Sequence, residues 1–190
     1  LRALPPDAPP PAGFALPEGG GGGGVAVEPG AVEDVILGCG MPEAETGMNI
    51  ARNAAMWAGC PVTTSGTTVN RFCSSGLQTV AMAAGRIVNE GVPCAIGAGV
   101  ESISLVQMGG QNVNRLTEEK LMQEKPELWM AMIETAEIVA ERYGVSREYQ
   151  DEYSLRSQQR IAAAQQNGIF KDEIVPMQTK MKVVNKETGE

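Results

Sequence analysis

The sequence predicts an α/β fold, a sheet covered by helices, and three observations carry that prediction. Short apolar runs closed by glycine alternate with helical stripes in the order strand, helix, strand, helix, strand between residues 31 and 114. Charge density then rises abruptly, from 9 charged residues among the 84 of 31–114 to 25 among the 76 of 115–190, so a sheet-centred core gives way to a solvated helical region. The first 30 residues stand apart, because 15 of them are Gly or Pro, including the unbroken run Gly19 to Gly24. Such a density sustains neither a helix nor a packed strand, and residues 1–30 read as a disordered arm or as sequence that is not native.

Val35-Ile36-Leu37, ended by Gly38-Cys39-Gly40, is the first strand candidate, running into a turn. Ile50, Ala51, Ala54, Ala55 and Ala58 then recur at helical spacing within 48–58, with Gly59 at the expected stop and Pro61 just beyond. Thr67 to Phe72, β-branched and aromatic, forms the second strand candidate. Leu77, Val80, Ala81, Ala84, Ile87 and Val88 make an apolar stripe that ends at Gly91. Cys94 to Val100 follows as a fully buried strand whose small residues permit close packing. In the charged region, Met132, Ala136, Val139 and Tyr143 give one helical stripe closed by Gly144, and Ser146 caps a second helix carried to Asn167-Gly168. Glu173-Ile174-Val175-Pro176 reads as an edge strand, since a proline cannot donate to a central ladder.

Composition excludes several classes of function. No stretch approaches the length of apolar sequence that crosses a membrane. The formal net charge is −8 and no segment clusters Lys and Arg, so the electrostatic footprint of a nucleic-acid binder is missing. The 190 residues contain no histidine, which removes a self-contained Ser-His-Asp triad, a Cys-His dyad and every His-containing metal pattern; no metal site is expected. Cys39, Cys60, Cys73 and Cys94 show no CxxC pairing and read as four free thiols of a reducing, cytoplasmic setting.

The stretch that could carry chemistry is Val69 to Leu77, where Cys73 stands at the junction of a strand and a helix. The amides and dipole of a helix N-terminus favour a thiolate, and Ser74, Ser75 and Gly76 leave room for a substrate carbonyl and free backbone N–H donors. On the residues alone two readings stand open: an activated nucleophile, or a cysteine packed under a tight turn. Glu101 and Ser102, at the end of the last strand candidate, either support such a site or form a polar pair satisfied at the sheet's carboxyl edge. Gly97-Ala98-Gly99 lacks the third glycine of a dinucleotide fingerprint, and the run Gly19 to Gly24 lacks the Gly-Lys-Ser/Thr ending of a phosphate loop.

Asn70-Arg71-Phe72-Cys73-Ser74-Ser75-Gly76-Leu77-Gln78, continuing from Val80 to Ile87, resembles the acyl-enzyme motif of the thiolases, the acetyl-CoA acetyltransferases and acyltransferases. Gly47 to Arg52 and Ala58 to Pro61 before it, and Gly97 to Ser104 after it, fall where that family would place them. Thr135-Ala136-Glu137, Ala140 to Tyr143, Ser146-Arg147, Gln150-Asp151, Ser157-Gln158 and Phe170 to Pro176 resemble the family's loop domain. The resemblance runs from about Val32 to about Met177. It implies a thiolase-like fold, with 31–114 as the N-terminal core and 115–190 as part of the loop domain. It also implies that Cys73 accepts an acyl group from acyl-CoA as a thioester, in Claisen condensation to 3-ketoacyl-CoA or its thiolytic reverse, within fatty acid metabolism. Met132 matches the methionine that lines the acyl pocket, although a place in its helix's apolar stripe would explain it equally.

The same resemblance implies coenzyme A thioesters as substrates with no further cofactor, and a homodimer or homotetramer pairing near Val62 to Arg71. The family's activating histidine and second cysteine have no counterpart here. The expectation is therefore a partial thiolase, truncated, in which this chain alone does not turn over. Two other classes remain in view: a non-catalytic interaction fragment, and a cysteine hydrolase, which lacks its histidine base.

Overall fold

The computed structural model describes residues 27–106, 110–176 and 178; the arm expected over 1–30 lies, up to residue 26, outside them. The described residues fall into two compact units that divide between Asn114 and Arg115. After a 3-10 turn at Pro29–Ala31, the first unit runs β1 (Asp34–Gly38), α1 (Ile50–Trp57), β2 (Ser65–Val69), α2 (Ser75–Glu90), β3 (Ala95–Gly99) and a short α3 (Ile103–Val106). The three strands form one parallel sheet of order β2-β1-β3, with Val35 opposite Gly66 and Ile96, and Gly38 opposite Val69 and Gly99.

Parallel neighbours require crossovers, and those crossovers are the two helices. Because the chain steps from β1 to β2 in one direction and from β2 across to β3 in the other, right-handed connections place α1 and α2 on opposite faces. The alternation of β1 agrees with this. Val35 and Leu37 pack with Val32 and with Ala51 and Ala55 of α1, whereas a Cβ on Gly38 would point into Ser75 and Gly76 of α2. Every residue of β1 is buried, as a central strand covered on both faces should be.

Missing side chains set the helix-to-sheet distances. A Cβ on Gly38 would stand 2.6 Å from the Ser75 carbonyl carbon, one on Gly97 2.8 Å from the Thr79 carbonyl oxygen, and one on Gly66 2.6 Å from the Arg52 Cα. Thr79 is fully buried and uses that closeness, its hydroxyl donating to the Ala98 carbonyl at 2.9 Å. At the other end of α2, Arg86 lies between the buried Asp34, with Nε 3.2 Å from Oδ2, and Glu90 one turn on. Asn49 fastens α1: its side chain caps the Arg52 N–H and donates to the Gly66 carbonyl at 2.7 Å.

The second unit contains α4 (Glu119–Glu124), a 3-10 turn at Pro126–Trp129, α5 (Met132–Tyr143) and α6 (Arg147–Gln166). Gly144, at φ +63°, closes α5 in the left-handed conformation, and the Ser146 hydroxyl accepts from the Tyr149 N–H to open α6. None of the residues in these helices is buried. Ion pairs one turn apart, Arg147 with Asp151 and Arg156 with Glu152, decorate the polar surface of α6.

Three expectations need correction. β2 spans Ser65–Val69 and not 67–72, because the chain leaves the ladder at Asn70 to turn toward Cys73. β3 is only partly buried, since it is an edge of the described sheet and has a strand on one side alone. Ile174 to Pro176 have no regular structure and are exposed, because the described second unit has no strand to pair with them. The stripe of α5 is helical as expected but faces no core within its own unit.

The glycine contacts predict opposite outcomes for two substitutions of the same kind. Gly38→Ala should lower the unfolding free energy by about 1–3 kcal/mol through overpacking against the α2 backbone. Gly85→Ala, whose Cβ would meet nothing nearer than the Asn89 amide at 3.7 Å, should raise it by about 0.5–1 kcal/mol. Urea denaturation of both variants measures the pair.

Candidate functional site at the carboxyl edge of the sheet

All three strands end on the same side, and the segments that leave them converge there. The Cys39 N–H donates to the Val69 carbonyl at 2.9 Å and the Val100 N–H to the Gly38 carbonyl at 2.9 Å, carrying the ladder one residue beyond the strands. β2 is followed by the turn Asn70 to Ser74 and then by α2. Crevices outside the carboxyl ends of parallel strands, at the point where successive connections diverge to opposite faces, are where open α/β sheets bind ligands.

The turn that presents Cys73 is fastened from both sides. The Asn70 side-chain oxygen accepts from the Phe72 N–H at 2.8 Å. The Ser75 hydroxyl accepts from the Arg71 N–H at 2.9 Å and donates to the Phe72 carbonyl at 2.6 Å. Phe72 is held at φ +45°, a left-handed conformation that a bulky residue adopts only when its surroundings impose it. The residue is 67 % exposed, so the constraint comes from the backbone bonds and not from packing of the side chain. The consequence is a sharp reversal that leaves Cys73 exposed, two residues before the first residue of α2. Ser74, the N-cap of that helix, makes no side-chain capping bond, so no side chain competes for the first-turn N–H groups.

Cys73, Ser75, Gly76, Gly38, Gly40 and Glu101 are among the residues lining a concavity of about 370 Å³ at this edge. Glu101 reaches back to the loop after β1, where its carboxylate accepts from the Cys39 thiol at 3.0 Å and from the backbone N–H groups of Gly40 and Met41 at 3.1 and 3.2 Å. Burial, and then the hydrogen bond to Glu101, push the Cys39 thiol up. The Cys39 hydrogen bond, with the two backbone donors, holds the Glu101 carboxyl below its ordinary value against some desolvation. Two cysteines therefore sit at one edge in opposite states, Cys39 as a buried donor and Cys73 open to solvent. Met132 belongs to the other compact unit, as the first residue of α5, and is 78 % exposed. Among the described residues no group of three or more His, Cys, Asp and Glu could hold a metal ion, and no helix is long and apolar enough to cross a membrane.

Reading the residues singled out Cys73 as the candidate but not what positions it. The fastening role of Ser75 was present only as a hydroxyl three residues after Phe72, and the bond between Cys39 and Glu101 joins positions 62 apart, beyond the reach of any local pattern.

The two shifts set a pH window. A thiol raised above 9.0 contributes stability that is complete below that value and is lost as pH rises through the higher folded-state value; a carboxyl lowered below 4.5 contributes stability present above that value and lost as pH falls through the lower one. Cys39→Ala should therefore destabilise the chain most at neutral pH, with the difference from wild type shrinking toward both limits. Denaturation midpoints collected across pH test this, and a difference that grows in alkali would contradict it.

The family model described as "Thiolase, N-terminal domain" matches residues 23–190. The chain is 50 % identical over 149 residues to the 3-ketoacyl-CoA thiolase of Bacillus subtilis (strain 168), covering 78 % of this chain and 38 % of that protein. It is 43 % identical over 163 residues to an acetyl-CoA acetyltransferase of Chromobacterium violaceum, covering 80 % and 41 %. Among solved structures, the Bacillus anthracis acetyl-CoA acetyltransferase superposes with a TM-score of 0.66 at 36 % identity, over 82 % of this chain and 42 % of that one. The chain thus spans about two fifths of the length of these relatives. With the parallel sheet, the cysteine turn and these matches in agreement, the chain belongs to the thiolase family and carries its N-terminal domain.

Proposed function

We propose that this chain supplies the acyl-accepting nucleophile of a thiolase-type acyltransferase and that Cys73 is that nucleophile. The observation that carries the reading is the exposed Cys73, set by the Ser75-fastened turn at the mouth of the carboxyl-edge concavity. The Cys73 sulfur, as thiolate, attacks the carbonyl carbon of an acyl-CoA thioester. A new S–C bond forms, the bond from that carbon to the coenzyme A sulfur breaks, and coenzyme A leaves as its thiolate. The charge that gathers on the carbonyl oxygen in between requires N–H donors; the Ser75 N–H is already given to the Phe72 carbonyl, so the N–H groups of Gly76 and Leu77, which the Ser74 side chain does not cap, are the candidates in the first turn of α2.

Coenzyme A thioesters are the substrates in this reading, with no separate cofactor, and the relatives named for 3-ketoacyl-CoA thiolysis and acetyl transfer favour carbon–carbon chemistry on fatty acyl chains. Met132, exposed and unbranched, has the character of the acyl-pocket methionine that the resemblance implies. The free thiols of all four cysteines suit a reducing cytoplasm. β2 is an edge of the described sheet and Val62 beside it is exposed, which fits pairing with a second copy in a homodimer or homotetramer.

Acylation is tested directly by mixing the chain with acetyl-CoA, quenching in acid and mapping peptides. The expected result is one acetyl group on the peptide containing Cys73, lost in Cys73→Ala. Acetylation confined to Cys39, Cys60 or Cys94, or none at all, would overturn the assignment and leave the interaction-fragment reading in its place.

Sustained condensation or thiolysis needs a base as well as a nucleophile, and the 190 residues hold no imidazole. Since general acid–base steps commonly contribute roughly 10²- to 10⁴-fold each, the chain by itself should show no steady-state turnover above that of Cys73→Ala. Coenzyme A release from excess acetyl-CoA reads condensation, and loss of 3-ketoacyl-CoA in the presence of added coenzyme A reads thiolysis; neither should exceed the Cys73→Ala background.

A further inference from the structure

Glu101 spans two of the three segments that meet at the carboxyl edge. It follows β3, yet all three of its hydrogen bonds go to the loop after β1, from Cys39, Gly40 and Met41. That loop is the neighbour of the cysteine turn. A Cβ on Gly40 would stand 2.8 Å from the Glu101 Oε2 and 3.7 Å from the Phe72 carbonyl carbon and Cα, so Gly40 is enclosed by the carboxylate on one side and the Phe72 backbone on the other. Phe72 is the residue held in the left-handed conformation immediately before Cys73. Ser75 and Asn70 fasten the turn from its own segment, and the 39–41 loop faces it from outside.

Building on the reading of Cys73 as acyl acceptor, we propose that Glu101 is a positioning residue: its carboxylate fixes the 39–41 loop against the Phe72 backbone and so sets where the Cys73 sulfur meets an acyl carbonyl. Three donors converging on one carboxylate is a geometry that an amide cannot reproduce, because the NH₂ group of a glutamine would face an N–H or S–H donor. The raised thiol of Cys39 keeps that residue protonated, and hence a donor, throughout the neutral range. A displacement of the nucleophile by a fraction of an ångström matters to acyl transfer, which needs an aligned approach to the carbonyl carbon. It matters far less to a small alkylating agent, which needs only an accessible thiolate.

That contrast supplies the experiment, run on the full chain with acetyl-CoA and iodoacetamide as the two probes. In Glu101→Gln, acetylation of Cys73 should slow about tenfold while its alkylation stays within about twofold of wild type, and the partly buried Cys60 and Cys94 should remain as protected as before. Equal acetylation in wild type and Glu101→Gln would overturn the role of Glu101 while leaving Cys73 as acceptor. A wild-type chain that takes up no acetyl group on Cys73 would remove the acceptor reading and this role with it. If Glu101→Gln fails to fold, seen as rapid labelling of all four cysteines, the pair Cys39→Ala and Cys39→Ser decides. The serine hydroxyl can donate the same bond, so Cys39→Ser should recover most of the acetylation rate that Cys39→Ala loses; identical rates in the two would overturn the proposal.

Discussion

The close approach of α2 to the sheet is the constraint on which the rest of the first unit depends. It exists because Gly38 on β1 and Gly97 on β3 carry no side chain where the helix backbone passes, a Cβ at either position falling under 3 Å from main-chain atoms. With the helix seated that low, the hydroxyl of Thr79 reaches the Ala98 carbonyl and the start of α2 lies directly over the end of β1. The connection from β2 must then turn back sharply within five residues, Asn70 to Ser74, to enter the helix. The strain at Phe72 and the exposure of Cys73 are consequences of that short path, and Ser75 stabilises it by holding two backbone groups of the turn at once.

Charge and burial are divided in the same economical way. Both ends of β1 meet an acidic side chain, but with different partners. Asp34, at the amino end, is buried at 6 % exposure against Arg86, and the pair is joined by charge without an aligned hydrogen bond. Glu101, near the carboxyl end, is exposed and takes three hydrogen bonds. A buried carboxylate requires a countercharge to offset its desolvation, whereas one at the edge can be held by neutral donors and keep a face toward solvent. The amino end of the sheet thus carries an ion pair, and the carboxyl end a carboxylate held by neutral donors beside a concavity.

Much of this was legible in the residues and some of it was not. The helix stripes and their glycine stops located α1, α2, α5 and α6 to within a residue or two, because Gly59, Gly91, Gly144 and Gly168 all adopt the positive φ that ends a helix. Strands were harder. A run such as Thr67 to Phe72 looks continuous in composition, yet only its first half belongs to the ladder, and nothing local marks Asn70 as the exit until its side chain is seen accepting from Phe72. Burial misled in a related way: the small residues of β3 suggest a strand covered on both sides, and smallness instead serves the approach of α2. Cys73 was legible because its neighbours are distinctive in kind and order, while Cys39 and Glu101 are ordinary in sequence and acquire meaning only through a bond across the sheet edge.

Cys39 and Cys73 share a residue type and a sheet edge but differ in burial and in partners. Both follow a strand of the same sheet, and both stand near the concavity. Cys39 is 1 % exposed and donates its proton to Glu101, so burial and a neighbouring anion both favour the thiol form and withdraw it from nucleophilic chemistry. Cys73 is lifted away from the layer by the reversal at Phe72 and faces solvent with no hydrogen bond to a carboxylate among the described residues. The carboxylate that holds Cys39 as a thiol makes its three hydrogen bonds with the loop after β1. If Cys73 is the acyl acceptor proposed above, the two thiols are kept apart by giving Cys39 a proton acceptor and a place in the core and leaving Cys73 exposed.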